Sequence, residues 1–193
     1  MVKKRVATSS LPGIYRLTYA DWLRFPDDGR FYEILEGELY GALPPSIEHQ
    51  RISRNLGFLV HTFLRQHAKG ELLRAPLGVR LTDEDILEPD LVVVLSEHAH
   101  RIGTQVIEGA PDLIVEILSP GTARRDLGPK REKYLAARVP EYWIVDPASA
   151  CVEVLALHDS EYVRHGLFRR EDTLRSKLLP EIEIALTEVF STR

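Results

Sequence analysis

Glu116 stands inside an otherwise apolar run, Leu113-Ile114-Val115-Glu116-Ile117-Leu118. Such a run reads as a buried strand. An ionised carboxylate there is costly unless a cation or a set of donors replaces its lost water. A second strand-like run, Leu91-Val92-Val93-Val94-Leu95, is entered through Glu88-Pro89-Asp90. Pro89 removes a ladder donor, so Asp90 is expected near a sheet end or edge. If the two strands are neighbours, the carboxylates of Asp90 and Glu116 come within a few ångströms of each other. With a backbone carbonyl such as that of Ile117, they would supply half of an octahedral Mg²⁺ shell, and water and a phosphate oxygen would complete it. Mn²⁺ would serve as a substitute ion. Such an ion polarises the phosphate and makes a bound water more acidic.

Lys130 and Tyr134 are four residues apart and share one face of a predicted helix. From there Lys130 could reach the same cleft and stabilise hydroxide or the charge developing on phosphorus. Lys133 takes that place if the helix phase is different. Asp112 is a competing acid on the face of Glu116, but four strand residues put it roughly 13 Å away, so Asp90 is the preferred partner. Two competing readings are structural. Glu116 could form a buried ion pair with Arg124, Arg125 or Lys130, and Asp90 could cap a turn after Pro89. His49 opens a long helix, where it could touch phosphate or a metal-bound water, or could be a plain surface histidine. His98 and His100 have a spacing suited to zinc but no third partner, and read as surface residues. No Ser-His-Asp order and no glycine-rich phosphate loop stands out.

The elements that must position these groups follow from periodicity. Thr18 can cap a short helix carrying Trp22, Leu23 and Phe25, stopped by Pro26-Asp27-Asp28-Gly29. Residues 31–35 and 38–43 read as a hairpin pivoting at Glu36-Gly37. A long amphipathic helix over 47–67 carries Ile52, Leu56, Leu59 and Phe63 on one stripe, with Gly70 to close it. Strands are expected near 71–74 and 78–81, then one buried strand over 86–95 and another over 113–118. Asp126 can cap a helix running to about Arg138, with Pro129 in its first turn. A strand over 141–146, a hairpin of 151–157 with 162–168, and a last strand or helix over 178–190 complete the order. Trp143 and Tyr142 are expected in the core or at a dimer contact. This order predicts an α/β (α+β) chain with one central mixed sheet flanked by helices. No internal repeat or linker divides the 193 residues, so one domain is expected, with residues 1–13 as a loose tail.

The bulk numbers narrow the class. Hydrophobic residues make up 44% and charged residues 28%, as in an ordinary globular chain with a real core. No apolar run approaches the roughly 20 residues of a membrane span. The single cysteine, Cys151, excludes an intrachain disulfide framework and a cysteine zinc site, and makes the cytoplasm the expected location. Net charge is −4, which speaks against a general polyanion binder but not against a nuclease whose acids are neutralised by a cation. Local basic patches occur at Arg124-Arg125, at Lys130-Arg131 with Lys133, and at Arg164 with Arg169-Arg170.

Several of these motifs in order resemble one family. They are Pro89-Asp90, Val115-Glu116-Ile117-Leu118-Ser119-Pro120, Asp126 to Tyr134, and Val139-Pro140-Glu141-Tyr142-Trp143-Ile144-Val145-Asp146-Pro147. Tyr32-Glu33-Ile34-Leu35-Glu36-Gly37-Glu38-Leu39 and His49-Gln50 also fit. Together they resemble the small stand-alone restriction endonucleases of the PD-(D/E)xK nuclease superfamily, a family long carried as a domain of unknown function. The resemblance implies a restriction-endonuclease-like fold, a magnesium-type ion and hydrolysis of phosphodiester bonds in nucleic acid, DNA first. It maps the metal-binding Asp onto Asp90 and the acidic position onto Glu116, with Glu33 as an auxiliary acid. The superfamily lysine would stand at position 118, where this chain has Leu118, and Lys130 on the following helix is the match. The expected activity is therefore a metal-dependent DNA endonuclease acting as a homodimer. The rivals are a nuclease-fold module that binds nucleic acid or protein without turnover, and a hydrolase of small phosphoesters.

Overall fold

The computed structural model describes residues 15–192 apart from 27, 29 and 43. The loose tail expected over residues 1–13 lies outside the described residues, as do Asp27 and Gly29 of the expected helix stop and Leu43 at the hairpin's end. The chain opens with a single turn, α1 (Tyr19–Trp22), and the hairpin of β1 (Phe31–Leu35) and β2 (Glu38–Ala42). Its two turn residues, Glu36 and Gly37, have φ of 55° and 71°, as a tight primed turn requires. Then come α2 (Ile47–His67), β3 (Gly70–Arg74), β4 (Gly78–Arg80), β5 (Ile86–Leu87) and β6 (Leu91–Leu95). A 3₁₀ segment (Ser96–Arg101), β7 (Val106–Glu108) and β8 (Leu113–Ile117) follow. Next are α3 (Ala123–Arg125), a π-type turn (Asp126–Lys130), α4 (Arg131–Ala136) and β9 (Glu141–Asp146). The chain ends with β10 (Cys151–His158), β11 (Glu161–Arg169), β12 (Thr173–Arg175), β13 (Glu183–Ala185) and α5 (Leu186–Val189). None of these helices is long and apolar enough to cross a membrane.

The class is mixed α+β with mixed sheets flanked by helices, but the strands do not lie in one sheet. A six-stranded sheet runs β11-β10-β9-β8-β6-β3, a five-stranded one β2-β1-β5-β4-β7, and β12 pairs with β13. The strand expected over 86–95 is two strands, one in each large sheet. Pro89 has no N–H to continue a ladder, and Asp90 turns its carboxylate onto the Ile117 N–H at 2.7 Å. The Glu88-Pro89-Asp90 step therefore crosses from one sheet to the other, and the two sheets meet there.

The core sits on both faces of the six-stranded sheet. Ile52, Leu56, Val60 and Leu64 of α2 pack on Leu91, Val93, Leu113 and Val115, and Leu186 and Val189 close that layer. On the other face Ile114 and Tyr142 pack with Leu35, Leu87 and Tyr134. Each fully buried aliphatic or aromatic side chain contributes roughly 1.5–3 kcal/mol. Alternation along β8 puts Leu113, Val115 and Ile117 on the α2 side and leaves Glu116 on the other side with Ile114. The expected stripe on α2 is present, and Ser46 caps the helix by accepting from the His49 N–H at 3.1 Å. Gly70 does not close α2. Ala68 takes the left-handed cap at φ 51°, and Gly70 opens β3 with φ 149° against the Val94 carbonyl, where no side chain fits.

The C-terminal part is fastened from within. Glu141, fully buried on β9, accepts from Trp143 Nε1 (2.6 Å), Ser176 Oγ (2.6 Å) and the N–H groups of Lys177 (2.8 Å) and Leu178 (2.9 Å). Trp143 and Tyr142 are both core residues.

Candidate active site

The acids of interest gather where the sheets meet. The β6–β8 register pairs Leu91 with Val115, so Asp90 and Glu116 are the next residues outward on each strand. Glu116 Oε1 accepts from Tyr134 Oη at 2.7 Å and lies 2.5 Å from Lys130 Nζ. Lys130 Nζ also donates to Glu33 Oε1 at 2.7 Å and lies 3.6 Å from Asp126 Oδ1. Glu33 comes from β1 in the other sheet, and its second oxygen is 3.0 Å from Arg125. Asp90 is held by His49 Nε2 at 3.2 Å as well as by the Ile117 N–H. Glu116 and Lys130 are sealed, with side chains 5% and 3% exposed, whereas Asp90 is 20% exposed and faces the way in.

One local device brings Lys130 here. Pro129 and Gly128 stand inside the helical segment, and Gly128 departs from helical dihedrals at φ −115°, ψ −105°. Proline inside a helix forces a wider turn, and this one is of π type. Asp126 was expected to cap the helix from outside. Instead the helix starts earlier, at Ala123, and Asp126 lies within the wide turn, buried with Lys130. Tyr142 Oη bonds the Asp126 carbonyl at 3.0 Å and fixes the turn against β9.

The electrostatics are those of a pocket short of positive charge. Burial opposes the charge on Glu33, yet Lys130, the Glu88 N–H and Arg125 hold its carboxyl below the usual range. Burial pushes Glu116 well above that range, and Asp126, Asp90 and Glu33 push the same way against Lys130. Burial also raises Asp126. Glu88 is pushed up to about 7 by burial and by Glu33. The Lys130 ammonium resists its own burial because Glu116, Glu33 and Asp126 surround it, and it stays protonated. Burial opposes the charged His49 ring, but Asp90 and the Ile117 backbone outweigh it. Three acids (Glu33, Glu116, Asp126) thus face two permanent cations, Lys130 and Arg125, and the fourth, Asp90, faces the His49 ring.

A divalent cation fits this excess. Asp126 Oδ1 and Glu88 Oε2 are buried without a hydrogen-bond partner. Both contacts to Glu116 fall on Oε1. Among the described residues no group of three or more His, Cys, Asp or Glu side chains is arranged to hold a metal ion by itself. Magnesium does not require one, because it keeps several waters and takes one or two carboxylates.

The sequence reading and the geometry part company at some residues. Asp112 is remote from the cluster, accepting from the Leu95 N–H at 2.7 Å and pairing with His98 Nδ1 at 2.6 Å. His98 is therefore not a plain surface residue: it sits in the 3₁₀ segment as the partner of a buried acid. His49, for which a plain surface position was the preferred reading, is instead buried against Asp90. Lys133 stays outside, bridging Glu36 at 3.2 Å and Asp85 at 3.3 Å. Arg125 pairs with Glu33 rather than Glu116. Glu88 and Asp126 were not foreseen as members. For Glu88 the available signal was its place in the Glu88-Pro89-Asp90 step.

Comparison with known proteins adds the following. The family model described as "Putative restriction endonuclease" (Uma2) matches residues 18–187. A solved structure titled as a putative nuclease belonging to DUF820, from Anabaena variabilis ATCC 29413, superposes with a TM-score of 0.74. Its sequence is 18% identical, and the match covers 90% of this chain and 97% of that one, which shows a shared fold. No curated protein matches the sequence.

Proposed function

The chain belongs to the "Putative restriction endonuclease" (Uma2) family, and from that premise we propose that it is a Mg²⁺-dependent endonuclease hydrolysing phosphodiester bonds in DNA, with Mn²⁺ as substitute. The observation that carries this reading is the gathering of Glu33, Asp90, Glu116 and Asp126 at one place, met among the described residues by Lys130, Arg125 and the His49 ring. Asp90, Glu116 and the Ile117 carbonyl would hold the ion. When bound, the ion would polarise the scissile phosphate and make a water more acidic. The remaining chemistry belongs to the chain. Tyr134 Oη fixes the Glu116 carboxylate at 2.7 Å. His49 and the Ile117 N–H fix that of Asp90. Lys130, whose ammonium is held by Glu116 and Glu33, would offset from behind Glu116 the charge that builds on the phosphate oxygens as water adds. Glu33 anchors Lys130 and so positions it rather than reacting.

The test is nicking of supercoiled plasmid by the purified protein in Mg²⁺ or Mn²⁺. Nicking is expected to stop in EDTA, and Asp90→Asn and Glu116→Gln should each slow it at least about 100-fold. Nicking that survives both substitutions overturns the assignment.

A second reading has its own observation. Lys130 is clasped between Glu33 at 2.7 Å and Glu116 at 2.5 Å, as a permanent ion pair in a non-catalytic nucleic-acid- or protein-binding module would be. That module would bind without nicking under any divalent cation. A single domain, a homodimer and a cytoplasmic location complete the proposal.

A further inference from the structure

Next to the acid cluster, three arginines line one pocket of about 460 Å³: Arg51 and Arg54 of α2 and Arg74 of β3, with Pro45, Ile47 and Gln50. No acid is among these residues. Arg51 and Arg54 are three apart on one exposed helix face, and Arg54 donates from Nε (3.0 Å) and Nη2 (2.9 Å) to Asn55 Oδ1. Arg51 and Arg74 are exposed and have no ion-pair partner among the described residues. Arg74 lies across α2 at Gly57, where an added Cβ would stand 3.7 Å from its Cδ and 3.8 Å from its Nε. The residue after it, Ala75, donates its N–H to the Asp90 carbonyl at 3.1 Å. The first turn of α2 holds the Asp90 carboxylate through His49 at 3.2 Å. The strand wall of the pocket thus continues into the backbone of Asp90, and the helix wall is the outer face of the same end of α2 whose inner face carries His49.

We propose that this pocket seats the sugar–phosphate backbone of the DNA strand, with Arg51 and Arg74 gripping phosphates beside the bond presented to Asp90. Guanidinium groups bind phosphate through paired hydrogen bonds, and such contacts fix register without reading bases. The chain as a whole carries −4, so a local concentration of positive charge is what lets it approach a polyanion. The assignment rests on the nuclease reading for the identity of the polymer, and it names residues outside the catalytic cluster.

The experiment is fluorescence anisotropy with a labelled 20-base-pair DNA duplex in EDTA, where no metal-dependent turnover occurs, across a salt series. Arg51→Ala/Arg74→Ala is expected to raise Kd at least about tenfold near 0.1 M salt and to reduce the slope of log K against log salt by about two. Arg51→Lys/Arg74→Lys, which keeps the charge, should restore most of the slope. Arg51→Ala alone, at an exposed helix position, replaces the double variant if that one loses its circular dichroism signal. An unchanged slope, or a parent protein that does not bind the duplex, overturns the proposal even if the parent nicks plasmid. A change confined to the sedimentation coefficient overturns it too, and makes this face a contact between copies. A lost slope in a protein that never nicks DNA keeps the pocket and removes the nuclease reading.

Discussion

Three buried acids share one ammonium, and how they divide it decides what each can do. Glu33 keeps its charge because Arg125 and the Glu88 N–H help Lys130, whereas Glu116 has only Lys130 and Tyr134 and is the acid most inclined to take a proton. Glu88 reports on the same shortage. Its folded pKa of about 7 lies above the ordinary 4.5, so the fold favours its neutral form. That contribution is fully present below about pH 4.5 and is lost as pH rises through 7. Glu88→Gln should therefore gain on the parent between pH 5 and pH 8, by up to about 3 kcal/mol in urea unfolding. Equal differences at the two pH values would show that Glu88 is not strained by its charge. The meeting of Asp90 and Glu116 was legible because a charge inside or beside an apolar run is conspicuous in one dimension, and Lys130 was reached by its four-residue spacing to Tyr134 and by the family resemblance. Arg125, Asp126 and Glu88 were not, because their roles arise only when α3, the π-type turn and the seam between sheets converge.

Among the elements, the wide turn at Asp126–Lys130 is the one most directly tied to the site. Pro129 removes a backbone donor there, and Gly128 absorbs the displaced dihedrals. Pro129→Ala should let the segment relax toward a regular helix, which swings Lys130 away from Glu33 and Glu116. The expected result is a lower melting temperature, because Glu33, Glu116 and Asp126 lose the ammonium they share, with plasmid nicking reduced about tenfold or more. Full nicking would mean that the turn does not set the lysine. Periodicity located this helix but not its start, because the reading treated Asp126 as a cap and Pro129 as a harmless first-turn residue. The same local view merged β5 and β6, although Pro89 marked the break between them. The extent of the long helix α2 was legible from its apolar stripe and length, whereas its Ser46 cap and its stop at Ala68 emerge only in the structure.

At the scale of the molecule, the sheets were harder to read than the strands. Each strand has its own alternation, but which sheet it joins depends on partners far along the chain, such as Ile34 with Ile86. The resulting seam links the site to global stability. Mg²⁺ that binds only the folded protein should raise unfolding stability by about 2.7 kcal/mol at a hundredfold excess over its Kd. Asp90→Asn should abolish that increment in a thermal melt, and an increment that survives would place the ion elsewhere. Glu141 extends the link to the far end of the chain. Three of its four donors come from Ser176, Lys177 and Leu178, and its strand runs beside the one carrying Glu116. A chain clipped before Ser176 would leave that buried carboxylate with Trp143 Nε1 as its one remaining donor of the four, so damage at the tail would be transmitted to the cleft through a shared backbone ladder.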